Sequence, residues 1–317
     1  MSKTLNVLVT GCGGDIGQSV GKILLRSVWI NNLYGIDISA KNAGQFIYSN
    51  FSLGLQVRHP DYLRRLELFV DKHDIDLVIP IAEPELRFFS EQNILKKIGN
   101  AKLMMSSKLS LEIGFDKFRT SEFLKKENLP YPETLLAKSL KKIDKLPVIL
   151  KSRTGSGSKD IHMIHSMEDF LFHTKYAIDD YIVQEFIAED SGEYTCGLYR
   201  SSKQETRTLI LRRELTGGYS GYGEVIENKE ITTLLETLAV KLNLVGSINV
   251  QLRIHDNVPK IFEINPRFSS TVLFRHLLGF KDLEWSIEDL FGMEFQPYIP
   301  PKFGSKFYKG FHEYIKV

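Results

Sequence analysis

The stretch Ser247-Ile-Asn249-Val-Gln251-Leu-Arg253-Ile-His255-Asp-Asn257-Val-Pro259-Lys-Ile-Phe262-Glu263-Ile264-Asn265-Pro266-Arg267 decides how this chain is read. Ile248, Val250, Leu252 and Ile254 alternate with Asn249, Gln251 and Arg253, the period of a strand with one apolar and one polar face. After a turn at residues 255–259 the pattern resumes, with Phe262 and Ile264 apolar and Glu263 and Asn265 pointing the other way. A hairpin symmetric about Asn257 sets Gln251 opposite Glu263 and Asn249 opposite Asn265, so their side-chain oxygens share one face.

That face offers hard oxygen ligands, one of them anionic, which suits magnesium carried on nucleotide phosphates. Arg267, just past Pro266, can fork onto a phosphate or a carboxylate. Periodicity alone fits a solvated polar hairpin equally well. The residues upstream separate the two readings.

Residues 5–10 read as a buried strand, followed by a glycine-rich turn, a helix over 16–27 and a strand over 33–38. A helix over 62–73, a strand over 76–81 and a helix over 85–98 continue the alternation, so residues 1–110 form a small doubly wound, Rossmann-like α/β domain. A helix over 116–127 and the Leu129-Pro-Tyr-Pro132 break open a second region, 111–188, with strands over 134–137, 147–151, 161–164 and 182–187. The third region, 189–317, carries a strand over 194–199, a helix over 231–242 and the hairpin. The fold class is therefore α/β followed by α+β.

These blocks resemble, in order, the ATP-grasp superfamily, and within it the carbamoyl-phosphate-synthase-like branch of carboxylate-amine ligases. Glu263-Ile-Asn265-Pro-Arg267 resembles the signature E-x-N-P-R, and Asn249-Val-Gln251 the strand before it. The resemblance implies magnesium at Glu263 and Asn265 with help from Gln251, and Arg267 on the transferred phosphate. Asp116-Lys117-Phe-Arg-Thr is similar to the opening of the ATP-grasp domain, with Lys117 on phosphate, and the strand ending at Lys151 to the one whose lysine reaches the α-phosphate and adenine. Gly155-Ser156-Gly157-Ser158-Lys159 resembles the glycine-rich loop over the phosphates, Lys159 acting with Arg267 in catalysis. Gln184-Glu185-Phe186-Ile187 is similar to the adenine hinge, and Glu193 to the acid that holds the ribose hydroxyls. The implied fold is a pre-ATP-grasp domain followed by a two-subdomain ATP-grasp fold, the small lid at 111–188 and the large subdomain at 189–317. Chemistry agrees, because glycines admit backbone amides to phosphate oxygens and lysines neutralise charge without a fixed fork.

The implied reaction is ATP-dependent and uses Mg2+. A carboxylate is activated as an acyl phosphate and passed to an amine, or to a thiol, with release of ADP and phosphate. For the non-nucleotide substrate the candidates are the amides at Gly13 and Gly14, the carboxylates Glu83 and Glu85 at a strand's carboxyl end, Arg213, and Arg275 on the helix after the signature. The segment 212–223, rich in glycine, reads as a mobile loop near substrate.

A competing reading starts from Thr10-Gly-Cys-Gly-Gly-Asp-Ile-Gly17, which resembles the glycine turn of extended short-chain dehydrogenases, with Asp37 placed for a ribose of NAD. Tyr199 and Lys203 have that family's catalytic spacing but fall in a strand and turn, where one helical face cannot present both. A further alternative is a nucleotide-binding module without turnover, which loss of Glu263 or Asn265 would have marked.

The bulk numbers exclude other classes. Over 317 residues the net charge is +2 and the pI about 8.3, giving no strong field for nucleic acid or anionic membrane. No apolar run approaches the roughly 20 residues of a membrane span. The two cysteines, Cys12 and Cys196, show no metal or disulfide spacing, so a cytoplasmic setting is expected. The expected partners are small-molecule carboxylate and amine substrates, without nucleic acid or membrane, and a homodimer is compatible with the reading.

Overall fold

The computed structural model describes residues 4–155, 160–176, 178–188, 192–310 and 312–315. The first region contains β1 (Leu5–Thr10), α1 (Asp15–Leu24), β2 (Ile30–Asp37), β3 (Asn50–Leu53), α2 (Tyr62–Lys72), β4 (Leu77–Pro80), α3 (Glu83–Glu91), β5 (Lys97–Ile98) and β6 (Ala101–Leu103). Its sheet has the order β3-β2-β1-β4-β6-β5, parallel except for the short β5–β6 pair. Val7 and Val9 face one helical layer and Leu8 the other, all fully buried, which is why β1 reads as a continuous apolar run. The helix expected over 85–98 stops at Glu91, because Asn93 turns left-handed at φ 57° and frees Lys97–Ile98 to pair with β6.

Helices α4 (Lys108–Gly114) and α5 (Lys117–Lys126) then lead into β7 (Thr134–Leu136), β8 (Val148–Ser152), β9 (Ile161–Ile164), α6 (Met167–Thr174) and β10 (Tyr181–Glu185). These four strands form an antiparallel sheet in the order β7-β10-β8-β9. The last region holds β11 (Glu193–Arg200), β12 (Thr206–Thr216), β13 (Tyr219–Val225), α7 (Lys229–Lys241), β14 (Gly246–His255), β15 (Val258–Asn265), α8 (Val272–Leu277), α9 (Asp282–Phe291) and β16 (Lys306–Tyr308). Its sheet runs β15-β14-β11-β12-β13-β16. The segment 212–223, expected as a loop, is largely the β12–β13 hairpin, and only Gly217 and Gly218, at φ 59° and 84°, make its turn.

Two packings fix the parts together. Leu124 of α5 and Leu235 and Leu238 of α7 share one core with Cys196, Val250 and Ile264 of the large sheet. So α5, which the sequence grouped with residues 111–188, is buried against the third region. Phe268, Val272, Leu283 and Ile287 belong instead to the core of the first sheet, alongside Val20 and Ile23 of α1. Gly114 ends α4 where its backbone meets the Ile264 carbonyl and the Pro266 ring; a Cβ there would stand 2.8 Å and 2.7 Å from them.

In an ordinary helix Gly→Ala adds up to about 1 kcal/mol of stability. Here the close approach reverses the sign, and Gly114→Ala should lose roughly 1 to 3 kcal/mol in urea unfolding. An unchanged or raised midpoint would refute this contact.

Candidate active site

A cavity of about 560 Å³ lies between the four-stranded sheet and the β14–β15 hairpin. Lys117, Lys151, Gln184, Gln251 and Glu263 line it, with Ile149, Ile187 and Phe262 as apolar wall. Lys117 is delivered by a capped helix start. Asp116 accepts the Phe118 and Arg119 amides at the N-cap and receives a two-pronged Arg153 at 2.9 and 2.7 Å. This holds α5 against the end of β8, where Lys117 Nζ donates to the Gly155 carbonyl at 2.7 Å and stands 4.0 Å from Glu263 Oε1.

The hairpin has the register expected at the site and a different one at its tip. Gln251 pairs with Glu263 and Asn249 with Asn265. Towards the tip, however, Leu252 pairs with Ile261 and His255 with Val258, closed by a two-residue turn with Asp256 and Asn257 at φ 50° and 64°. The expected turn at 255–259 is shorter, and one extra residue, Phe262, is absorbed as a bulge between the two registers. Simple alternation put Phe262 in the core. The bulge puts it in the cavity wall beside Glu263, and Ile261 and Ile264 take the core positions.

Lys151 is 6% exposed and donates to Gln184 Oε1 at 2.8 Å; Gln184 in turn donates to Thr134 Oγ1 at 2.9 Å. Its ammonium also lies 5.4 Å from the Phe262 ring centre. Burial pushes its pKa down to about 8, with the Glu263 carboxylate opposing and Lys117 assisting. Glu193 is held between Arg213 Nε at 3.0 Å and Arg253 Nη2 at 2.8 Å. Burial alone would raise its pKa; the two guanidiniums outweigh that and hold it below the usual carboxylate range. Glu185 faces Lys260 at 2.8 Å and accepts the Glu133 amide at 3.0 Å.

A second cavity of about 350 Å³ shares Arg213, Gln251 and Glu263 with the first and extends to Arg267, Asn265, Glu83 and the turn at Gly11 and Gly14. Arg267 is half-buried and donates to the Phe268 carbonyl at 2.9 Å; desolvation pulls its pKa down, with Glu83 and Glu263 opposing. Its remaining donors are available to an anion in that cavity.

A family model for an ATP-grasp domain matches residues 115–271. Residues 115–271 are an ATP-grasp domain. Its sequence is similar to the carbamoyl phosphate synthase large chain of Archaeoglobus fulgidus, 25% identical over 205 residues that cover 57% of this chain and 19% of that one. This chain thus spans about a fifth of that relative's length. Its fold is similar to N5-carboxyaminoimidazole synthetase from Staphylococcus aureus complexed with ADP, at TM-score 0.75 and 14% identity over 93% of this chain and 79% of that one. It is likewise similar to the L-amino acid ligase of Bacillus licheniformis, at TM-score 0.69 and 14% identity over 92% and 75%.

Within the ATP-grasp fold most expected residues converge. Lys117, Lys151, Gly155, Gln184, Glu185, Phe186, Ile187, Glu193, Gln251 and Glu263 border the first cavity, and Gly14, Glu83, Arg213, Asn265 and Arg267 the second. Ser156, Gly157, Ser158 and Lys159 lie outside the described residues. Glu263 with the amide oxygens of Asn265 and Gln251 fits magnesium by chemistry, a single carboxylate leaving room for phosphate and water. Sequence reasoning missed Arg253, which fixes Glu193 and donates to the Ile187 carbonyl at 2.8 Å; its place on the polar face of β14 was the available signal.

Three expectations are corrected. Arg275 does not reach substrate. It is fully buried beneath Gly197, 3.0 Å from Asp282, because the inward face of α8 turns it under β11. Glu85 is occupied at both oxygens, by Thr10 at 2.8 Å and Tyr62 at 2.6 Å, and ties β1, α2 and α3 together. Gly13 gives its amide to Asp37 at 2.8 Å and lies under the Asn42 side chain, so Asp37 serves the turn and not a dinucleotide ribose. Tyr199 is buried and donates to the Trp285 carbonyl at 3.0 Å, which removes the dehydrogenase pair as well. Among the described residues no helix is long and apolar enough to cross a membrane.

Lys151 yields a pH signature. Between about pH 8 and its ordinary value of 10.5 the unfolded chain holds a proton that the folded protein has released. Stability relative to Lys151→Met therefore rises with pH across that window, by on the order of 1 to 3 kcal/mol. Urea unfolding of both proteins across the window checks it, and a constant difference would contradict the burial argument.

Proposed function

We propose that this chain is an ATP-dependent ligase that activates a small carboxylate as an acyl phosphate and transfers the acyl group to an amine, forming an amide. The observation that carries this reading is the shared wall of the two cavities. Gln251, Glu263 and Arg213 face the nucleotide side and the Arg267 side at once.

Adenine would lie against Ile149, Ile187 and Phe262, with the hinge backbone at Glu185 to Ile187 reading its edge. Glu185 itself is neutralised by Lys260, so its carboxylate is not the reader. Glu193, oriented by Arg213 and Arg253, would take the ribose hydroxyls on its remaining lone pairs. Lys117 and Lys151 would neutralise the phosphates, and magnesium would supply charge neutralisation at Glu263, Asn265 and Gln251. The carboxylate substrate would sit in the second cavity, held by Arg267, with an oxygen directed at the γ-phosphate; positioning and charge neutralisation carry this step.

Glu263→Ala should lower ADP release by roughly 100-fold or more, the scale of removing one preorganised electrostatic contact. A coupled ADP assay over carboxylates crossed with amines provides the measurement. Unaltered turnover in the variant would sink the assignment.

A further inference from the structure

A third cavity, about 880 Å³, lies between the first domain and the end of β8. The loop after β3 (Arg58, His59), α2 (Tyr62) and α3 (Glu83, Phe88) wall it. It touches the nucleotide cavity through Thr154 and Gly155, and the Arg267 cavity through Glu83 alone. A ligase of the proposed kind must hold a nucleotide, a carboxylate and an amine. The first two cavities would take the first two, and the third borders both, through Thr154 and Gly155 on one side and Glu83 on the other.

Its chemistry is polarised. Glu83 stands in the first turn of α3 with Pro84 beside it, and its Oε1 receives Arg87 at 3.0 Å. Arg87 is itself pinned by the Phe115 carbonyl at 2.9 Å and lies 4.8 Å from the Phe115 ring centre, so the Glu83 carboxylate is fixed in place. Among the described residues Glu83 Oε2 makes no hydrogen bond or ion pair, the Arg267 guanidinium acts on the carboxylate at longer range, and the side chain is 15% exposed. The middle of the cavity is aromatic, Tyr62 and Phe88 meeting edge to face at 5.6 Å. At the rim Arg58 is exposed and makes no ion pair or hydrogen bond with the described residues. His59 Nδ1 is already engaged by the Asp61 amide at 3.1 Å.

We infer that this cavity is the acceptor site and that the acceptor is an amino acid or a short peptide-like amine. Its ammonium faces Glu83, its apolar part lies on Tyr62 and Phe88, and its carboxylate faces Arg58. The inference rests on the ligase reading above. In the transfer the amine nitrogen bonds to the acyl carbon and the carbon–oxygen bond to phosphate breaks. Of the two protons lost from the ammonium, one passes to Glu83 and on to solvent and one leaves on the inorganic phosphate. Glu83 thereby holds the nucleophile at the single residue common to the acceptor and carboxylate cavities.

The test is titration calorimetry on the full chain with Mg-ATP analogue present, using the standard amino acids, β-alanine, γ-aminobutyrate and glycylglycine as probes. At least one should bind, Arg58→Glu should weaken it by about tenfold or more, and Arg58→Lys should restore most of the loss. The decarboxylated amine of that probe should bind both proteins alike, and Mg-ATP affinity should be unchanged in either variant. If no probe binds, or if Arg58→Glu leaves the probe's affinity intact, the acceptor site is refuted while the nucleotide reading stands. If Mg-ATP itself neither binds nor turns over, the ligase reading falls and takes this inference with it.

Discussion

The bulge at Phe262 is the constraint on which the site depends. A two-residue turn at Asp256–Asn257 would, by itself, carry the tip register through the whole hairpin. Since side chains alternate with a period of two, a slip of one residue would turn Glu263 and Asn265 into the core. Absorbing one residue at Phe262 restores the pairing of Gln251 with Glu263, and it brings an aromatic ring into the same cavity. The polar face proposed for the metal and the apolar wall proposed for the nucleotide thus come from adjacent residues of one strand.

Charge in the site is arranged by pairing before any ligand arrives. Glu193 between Arg213 and Arg253, and Glu185 against Lys260, are compensated acids whose geometry is set by their partners. Lys151 has no carboxylate within ion-pairing distance among the described residues and is buried, so its charge is costly until an anion approaches. That asymmetry suits the cavity to an anion despite a nearly neutral chain. In the neighbouring cavities Arg58 makes no ion pair among the described residues, while Arg267, bonded to the Phe268 carbonyl, and Glu83, bonded to Arg87, act on each other at longer range.

The large sheet and the first domain are coupled through the segment that follows the signature. Pro266 presses on Gly114, and Phe268 and Val272 enter the core of the first sheet, so Arg267 is bracketed by contacts to both regions. The buried Arg275–Asp282 pair, with Ser247 donating to Asp282 at 2.6 Å, anchors α8 and α9 to β14. Arg275 was attractive as a substrate ligand because it follows the signature closely, but its partner is within the fold.

By itself the sequence determined the βαβ beginning, the polar alternation of β14 and β15, and the pairing of Gln251 with Glu263. These are local, since strand period and hydrophobic runs are written in neighbouring residues. Through their order along the chain it also grouped Lys117, Lys151, Glu185, Glu193 and Glu263, which line one cavity. Only the tertiary structure decided where Phe262 points, that α5 packs on the large sheet, that residues 206–225 form a hairpin and that Glu85 and Arg275 are internal struts. Each of these turns on a bulge, a buried face or a partner distant in sequence. A charged residue reads the same in sequence whether it meets a substrate or a buried counter-charge, and what distinguishes the two is the element packed against it.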